Sequence, residues 1–252
     1  MAVTGLETGD GRRSAVLIDL DDTLFDHRGA ARRALRTAAD ADPALARLAF
    51  DALEARHRIV LEALHRDVLE GRMTVDEARA LRFRTLIEEQ GEACDVPRVD
   101  RIAGVYRAAY QQDWSCLAGA RELLEELKAR GARIAIVTNN IVSEQVSKLK
   151  RLALEPLVDA LVVSEAVGSS KPSAAIFEHA LAQLDARATD AVMLGDSWTA
   201  DVEGALAAGI AAVWFNPRRS ARPGSEAPVI EIASLEPAGA VADLILGYSV
   251  SP

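Results

Sequence analysis

Residues 15–24 read Ala15-Val16-Leu17-Ile18-Asp19-Leu20-Asp21-Asp22-Thr23-Leu24, four apolar residues running straight into three acids and a hydroxyl. A short apolar run of this kind marks a strand buried on both faces of a parallel sheet, and in open α/β sheets ligands sit beyond the carboxyl ends of the strands. Asp19, Asp21 and Asp22 therefore fall where chemistry is usually placed. Three carboxylates within four positions repel one another in a partly dry crevice, so the cluster predicts a bound cation, and hard oxygen donors favour Mg²⁺. The same residues also fit a solvated acidic turn capped by Asp22 or Thr23. The rest of the chain has to separate the two.

At 252 residues the chain can bury a sizeable core, and with 50% apolar and 27% charged residues it has the balance of a soluble globular protein. Its 29 basic and 38 acidic side chains give a net charge of −9. That offers no electrostatic footprint for a nucleic-acid polymer, and an anionic substrate would need basic groups placed locally. No apolar stretch approaches the ~18 residues of a membrane span, and Met1 to Arg13 is polar, with Gly5, Gly9 and Gly11 and no hydrophobic signal core. The expectation is a cytoplasmic monomer or homodimer with a loose extension over residues 1–13 and no membrane partner. Cys94 and Cys116 lack metal or redox spacing and read as free thiols.

From Gly29 to Gln112 the apolar residues recur at three- and four-residue spacing. The pattern predicts helices over Ala30–Asp40, Pro43–Glu70, Thr74–Gln90 and Pro97–Gln112, punctuated by Gly71, Gly91 and Pro97. After Gly119 the period changes. Helices at Ala120–Arg130, Val142–Leu152, Ser173–Leu184 and Ala200–Ala208 alternate with strands at Arg133–Val137, Ala160–Val163, Ala191–Leu194 and Ile210–Phe215. A strand at Val229–Ile232 and a helix at Pro237–Leu246 finish the chain, after a surface loop over Arg218–Pro228. Such alternation argues for an α/β fold with a Rossmann-like parallel sheet, to which residues 15–18 also belong. The expected organisation is a core of residues 14–26 and 116–252, with an inserted α-helical cap at 27–115 able to close as a lid.

Three further polar stations sit at or beyond strand ends. Thr138-Asn139-Asn140 offers a hydroxyl and an amide to phosphate oxygens, or a plain capped turn. Lys171, one of four lysines, stands in Gly168-Ser169-Ser170-Lys171-Pro172. Gly195-Asp196 closes the strand Ala191–Leu194, and Asp201 lies on the first turn of the next helix, able to brace a metal shell. Two acids at that spacing are more than one helix cap requires.

Taken in order, Asp19-Leu20-Asp21-Asp22-Thr23, Thr138, Lys171 and Gly195-Asp196 through Asp201 resemble the haloacid dehalogenase superfamily over about residues 15–216. The place and helical character of the insertion resemble its subfamily I. Within that subfamily, Gly71-Arg72-Met73-Thr74 with Arg82-Phe83, the Thr138-Asn139 step, Val163 to Gly168 before Lys171, and Ala212 to Pro217 look similar to the bacterial pyrimidine 5′-nucleotidases. Asn140 departs from the glycine common after the Thr-Asn pair, and Trp198 is bulky for its loop; both bear on the mouth of the site.

The resemblance implies a Mg²⁺-dependent phosphatase of small phosphorylated metabolites. Asp19 would be the nucleophile that forms an aspartyl-phosphate, and Asp21 the general acid and base. Thr138, Asn139 and Lys171 would bind the phosphoryl oxygens. The metal would be held by Asp19, the Asp21 carbonyl and Asp196, with Asp201 in support. Arg72, Arg82 and Arg84 are the cap residues expected to set specificity. A nucleoside 5′-monophosphate is the expected substrate, with sugar phosphate, acylneuraminate phosphate or another pathway intermediate, or a phosphosugar mutase reaction, as alternatives. A dehalogenase would have no use for Asp21 or a complete metal set.

Overall fold

The computed structural model describes residues 14–223 and 229–247, so the extension at 1–13 and the end of the 218–228 loop lie outside it. The strand β1 (Ala15–Ile18) leads into five helices, α1 (His27–Asp40), α2 (Pro43–Ala46), α3 (Phe50–Leu69), α4 (Val75–Glu88) and α5 (Val96–Gln112). Strands and helices then alternate through α6 (Ala120–Ala129), β2 (Arg133–Thr138), α7 (Val142–Arg151), β3 (Ala160–Val163), α8 (Ser164–Val167), α9 (Ala174–Gln183) and β4 (Ala191–Gly195). A π-helical turn at Trp198–Glu203 runs into α10 (Gly204–Ala207), and β5 (Ala211–Phe215), β6 (Ile230–Ile232) and α11 (Ala238–Gly247) complete the chain.

All six strands are parallel, in the order β3-β2-β1-β4-β5-β6. The first strand is therefore central, and the winding direction reverses beside it. Such a reversal opens a crevice at the carboxyl edge of the sheet, where ligands of doubly wound folds bind. Ile18 pairs with Ile136 on one side and Leu194 on the other, and the Asp19 N–H continues the ladder to the Leu194 carbonyl at 2.9 Å.

Side chains alternate across a strand, so two apolar layers form from one run of sequence. Leu17, Ala135, Val137, Met193, Ala212 and Trp214 pack with Ile176, Phe177 and Ala180 of α9 and with Val202 and Ala205. Val16, Ile18, Ile134, Ile136, Val192 and Leu194, which point the other way, are buried as well. Each large side chain withdrawn from water contributes about 1.5–3 kcal/mol, and this packing holds the strand ends in place. Gly119, the N-cap of α6, has φ 79°, and a Cβ there would come within 2.9 Å of the Leu235 carbonyl oxygen.

The chain divides into two compact units. One runs to Leu24 and takes in Ala118–Thr138 and everything from Leu154 onward, while the other comprises Phe25–Leu117 with Asn139–Ala153. The second unit thus includes α7, which the βα alternation alone would leave with the sheet. The reason is visible in its buried face: the Lys148 ammonium lies 5.0 Å from the centroid of the Phe25 ring, and the Arg151 guanidinium 4.8 Å from that of Trp114.

Within the helical unit, the single helix expected over Pro43–Glu70 is two, because Ala49 is extended (φ −55°, ψ 130°) and α3 starts afresh at Phe50. No proline or glycine announces this break. Thr74 and Glu77 form a reciprocal capping box that starts α4, the Thr74 hydroxyl accepting from the Glu77 N–H and the Glu77 carboxylate from the Thr74 N–H. Asp42 caps α2 by accepting from the Ala44 N–H at 3.0 Å, and it also takes two hydrogen bonds from Arg98, each 2.7 Å.

Asp42→Ala removes a helix cap and the acceptor of a charged fork in one step. It should cost about 2–4 kcal/mol of stability. Urea unfolding would show this as a lower midpoint with an unchanged m-value.

Candidate active site

The buried Lys171 ammonium joins three segments at the carboxyl edge of the sheet. It donates to Asp19 Oδ1 at 2.7 Å, to Asp201 Oδ1 at 2.6 Å and to the Val137 carbonyl of β2 at 2.7 Å. An ammonium has three protons, so each finds an acceptor. The other oxygen of Asp19 is held too: the buried Thr23 hydroxyl donates to Asp19 Oδ2 at 3.1 Å and accepts from the Asp196 N–H at 3.1 Å. Thr23 comes round to meet Asp19 because Asp22 adopts a left-handed conformation (φ 65°), which acidic side chains tolerate better than most.

Asp201 is brought in by the π-helical turn. Its Oδ2 accepts from the Ser197 N–H at 2.9 Å. Gly195 makes this possible, since a Cβ at that position would sit 2.3 Å from the Asp201 carboxyl. Asp196 is fixed through its backbone: its carbonyl accepts from the Trp214 indole N–H at 3.0 Å, and Arg218 lies 3.5 Å from its carboxylate.

Asp19, Asp196 and Asp201 each offer a carboxylate oxygen, all within 4.8 Å of one another. Burial pushes the Asp19 carboxyl well above the usual carboxylate range; Lys171 pulls it back, while Asp201 and Asp196 push it further up. Burial works against the Lys171 ammonium, yet Asp19 and Asp201 together hold its pKa above the ordinary lysine value. Three carboxylates, two of them bonded to Lys171 and the third 3.5 Å from Arg218, concentrate negative charge at this edge. A divalent ion with oxygen preference, such as Mg²⁺, suits that donor set and that charge.

Most of the candidate residues lie at these strand ends. Asp21 is half-buried in the turn two residues beyond Asp19, and Thr138 is buried at the last position of β2, the strand that β1 pairs with. Asn139 follows at once but belongs to the other compact unit. Arg72 is exposed and engaged locally with Asp67 and Glu70. Arg84 is half-buried, whereas Arg82 is buried among aromatic rings of the helical unit.

Trp198 is corrected by the structure. Rather than standing at the mouth of a loop, it is buried in the apolar layer under the sheet, edge-on to Trp214 at 5.0 Å, with its indole N–H donating to Glu203. Sequence reasoning missed Trp214 as a support of Asp196, and it read Thr23 as a helix cap or as the last member of the Asp19–Thr23 motif without its bond to Asp19. Thr23 was legible in the quoted motif, but nothing local marks Trp214.

Over residues 14–209 the chain matches the haloacid dehalogenase-like hydrolase family. A ribulose-1,5-bisphosphate 5-phosphatase of Halopiger xanaduensis is 34% identical over 210 residues, 81% of this chain and 85% of that protein. The pyrimidine 5′-nucleotidase PynA of Streptococcus pneumoniae is 28% identical over 222 residues, 88% of this chain and 91% of its own length. Among solved structures, the magnesium-bound HAD-hydrolase YfnB of Bacillus subtilis superimposes with a TM-score of 0.73 at 28% identity, covering 92% of this chain and 99% of that one.

Gly195→Ala should push the Asp201 carboxyl off Lys171 and weaken Mg²⁺ binding by about tenfold or more, the usual scale for losing a group that orients a metal ligand. Isothermal titration with Mg²⁺ reads this directly. Unchanged affinity would separate Asp201 from the ion site.

Proposed function

The chain belongs to the haloacid dehalogenase-like hydrolases, and from that premise we propose that it is a phosphatase acting on the 5-phosphate of a pentose, with a nucleoside 5′-monophosphate as the leading substrate class. The observation that carries the reading is the buried Asp19 carboxylate, held by Lys171 on one oxygen and Thr23 on the other beside two further acids. Such a group is fixed in direction and electrostatically primed to share its charge with an electrophile.

In the first step an Asp19 oxygen attacks phosphorus as the bond from phosphorus to the sugar oxygen breaks, and the Asp21 carboxyl gives that oxygen its proton. In the second, water attacks the phosphorus of the aspartyl-phosphate while the Asp21 carboxylate takes the proton of the water. The acyl-phosphate P–O bond breaks, and inorganic phosphate and the Asp19 carboxylate are released. The Thr138 hydroxyl and Asn139 amide donate to the phosphoryl oxygens. Lys171 offsets the charge that nucleophile and phosphate bring together, a contribution of a few kcal/mol in comparable sites, about 3 by analogy with other preorganised donors. Mg²⁺, held by the Asp19 and Asp196 carboxylates and the Asp21 carbonyl with Asp201 bracing the set, would screen the same charges; the magnesium-bound YfnB relative supports this choice of ion.

The two named phosphatases reported above share a chemical feature: a phosphate on carbon 5 of a five-carbon sugar, in one case carrying a pyrimidine. That supports the pentose 5-phosphate as the reacting unit. A sugar bisphosphate is the second reading, favoured by the 34% identity to the ribulose-1,5-bisphosphate enzyme. Among the described residues no helix is long and apolar enough to cross a membrane.

The expected result is phosphate release from uridine or thymidine 5′-monophosphate in Mg²⁺, with EDTA abolishing it and the 3′-monophosphates turned over at least about tenfold more slowly, a barrier difference of about 1.4 kcal/mol. Asp19→Asn should fold normally and lose activity by about 10³-fold or more. Wild-type turnover in that variant, or equal rates on 5′ and 3′ esters, would reject the nucleophile or the substrate class respectively.

A further inference from the structure

Inside the helical unit one buried guanidinium lacks a hydrogen bond at its Nε. Arg82 of α4 is 7% exposed, its Nε is buried with no hydrogen-bond partner, and among the described residues no carboxylate pairs with it. Its neighbours are rings. The guanidinium carbon lies 4.8 Å from the centroid of Tyr106 and 5.5 Å from that of Phe83, and Tyr106 stacks on Tyr110 with planes 6° apart. His57 packs 5.3 Å from Tyr106 and 6.1 Å from Phe83, and its own buried Nε2 also lacks a partner.

The surrounding charges are already answered. Glu144 of α7, the carboxylate whose field reaches Arg82, is 2.8 Å from the buried Lys148 ammonium, and Arg79 is paired with Asp76. Burial, with Arg82 and His27 adding, keeps His57 well below its usual range, so its ring is neutral at pH 7. Burial lowers Arg82 as well, but a guanidinium stays protonated in proteins. The aromatic faces supply a weak attraction and no hydrogen-bond acceptor.

An arginine in this position lowers stability. Removing a buried charge in favour of an apolar side chain of similar size is commonly neutral or stabilising, and an unsatisfied buried donor carries a desolvation penalty of about 1–3 kcal/mol. The complement of such a fork is an oxyanion, which answers the charge and the N–H groups together.

We propose that Arg82, in its box of Tyr106, Phe83 and His57, is an oxyanion-binding site within the helical unit, taking one phosphate or carboxylate group through the guanidinium fork. The group is a free anion, and the proposal stands apart from the proposed phosphatase activity.

The test uses Arg82→Met and Arg82→Lys in the full chain, with inorganic phosphate as the probe. Wild type should bind a second equivalent of phosphate beyond that taken at Lys171, and Arg82→Met should lose it while melting at or above the wild-type temperature. Arg82→Lys should retain it with about tenfold weaker affinity, a change of about 1.4 kcal/mol. Asp19→Asn, which probes hydrolysis, should keep this equivalent, so failure of one reading is distinct from failure of the other. Equal phosphate stoichiometry in Arg82→Met and wild type, or a melting temperature several degrees lower in the variant, overturns the proposal in favour of a packing role.

Discussion

The Lys171 ammonium is the constraint on which the carboxyl edge of the sheet depends. Its three donors reach the end of β1, the backbone of β2 and the turn after β4, so one buried side chain ties together segments far apart in sequence. The carboxylates of Asp19 and Asp201 would not share a dry crevice without a cation between them. Breaking a buried pair of this kind by removing one partner costs about 3–5 kcal/mol elsewhere, mostly as the penalty of the charge left behind. Positioning of the Asp19 carboxylate and stability of the edge are therefore one property.

Around that cation the rest of the site is built from main chain. Asp19 is a rung of the β1–β4 ladder through its N–H, Asp196 is held by its N–H and its carbonyl, and Asp201 is anchored by the Ser197 N–H. Backbone contacts of this sort move little, which is what a transition state of fixed geometry requires. The negative charge gathered there suits a divalent ion, and the same residues that provoke the repulsion are the ones able to ligate it.

How much of this was legible in the sequence follows from where each signal is stored. The strands at 15–18 and 191–195 announce themselves because a parallel strand buried on both faces must be apolar throughout, and the polar residues that end each run mark the ligand edge. The acidic cluster of Asp19, Asp196 and Asp201 was readable for the same reason, as acids at two strand ends. Contacts made through backbone atoms over long separations leave no residue pattern, which is why the support that Trp214 gives Asp196 went unseen. The break at Ala49 and the membership of α7 in the helical unit depend on packing partners, not on local propensity. Arg82 stands out in the sequence only as one of three cap arginines expected to set specificity, because exposure is the usual state of that residue type and only tertiary structure reveals its burial.

The indole of Trp214 is bonded to the main chain of Asp196 and meets Trp198 edge to face. The loop that would receive an ion is thus coupled to a pair of natural fluorophores. A shift of that loop's main chain would therefore reach the indole pair directly, and their emission is a label-free readout of the state of this edge.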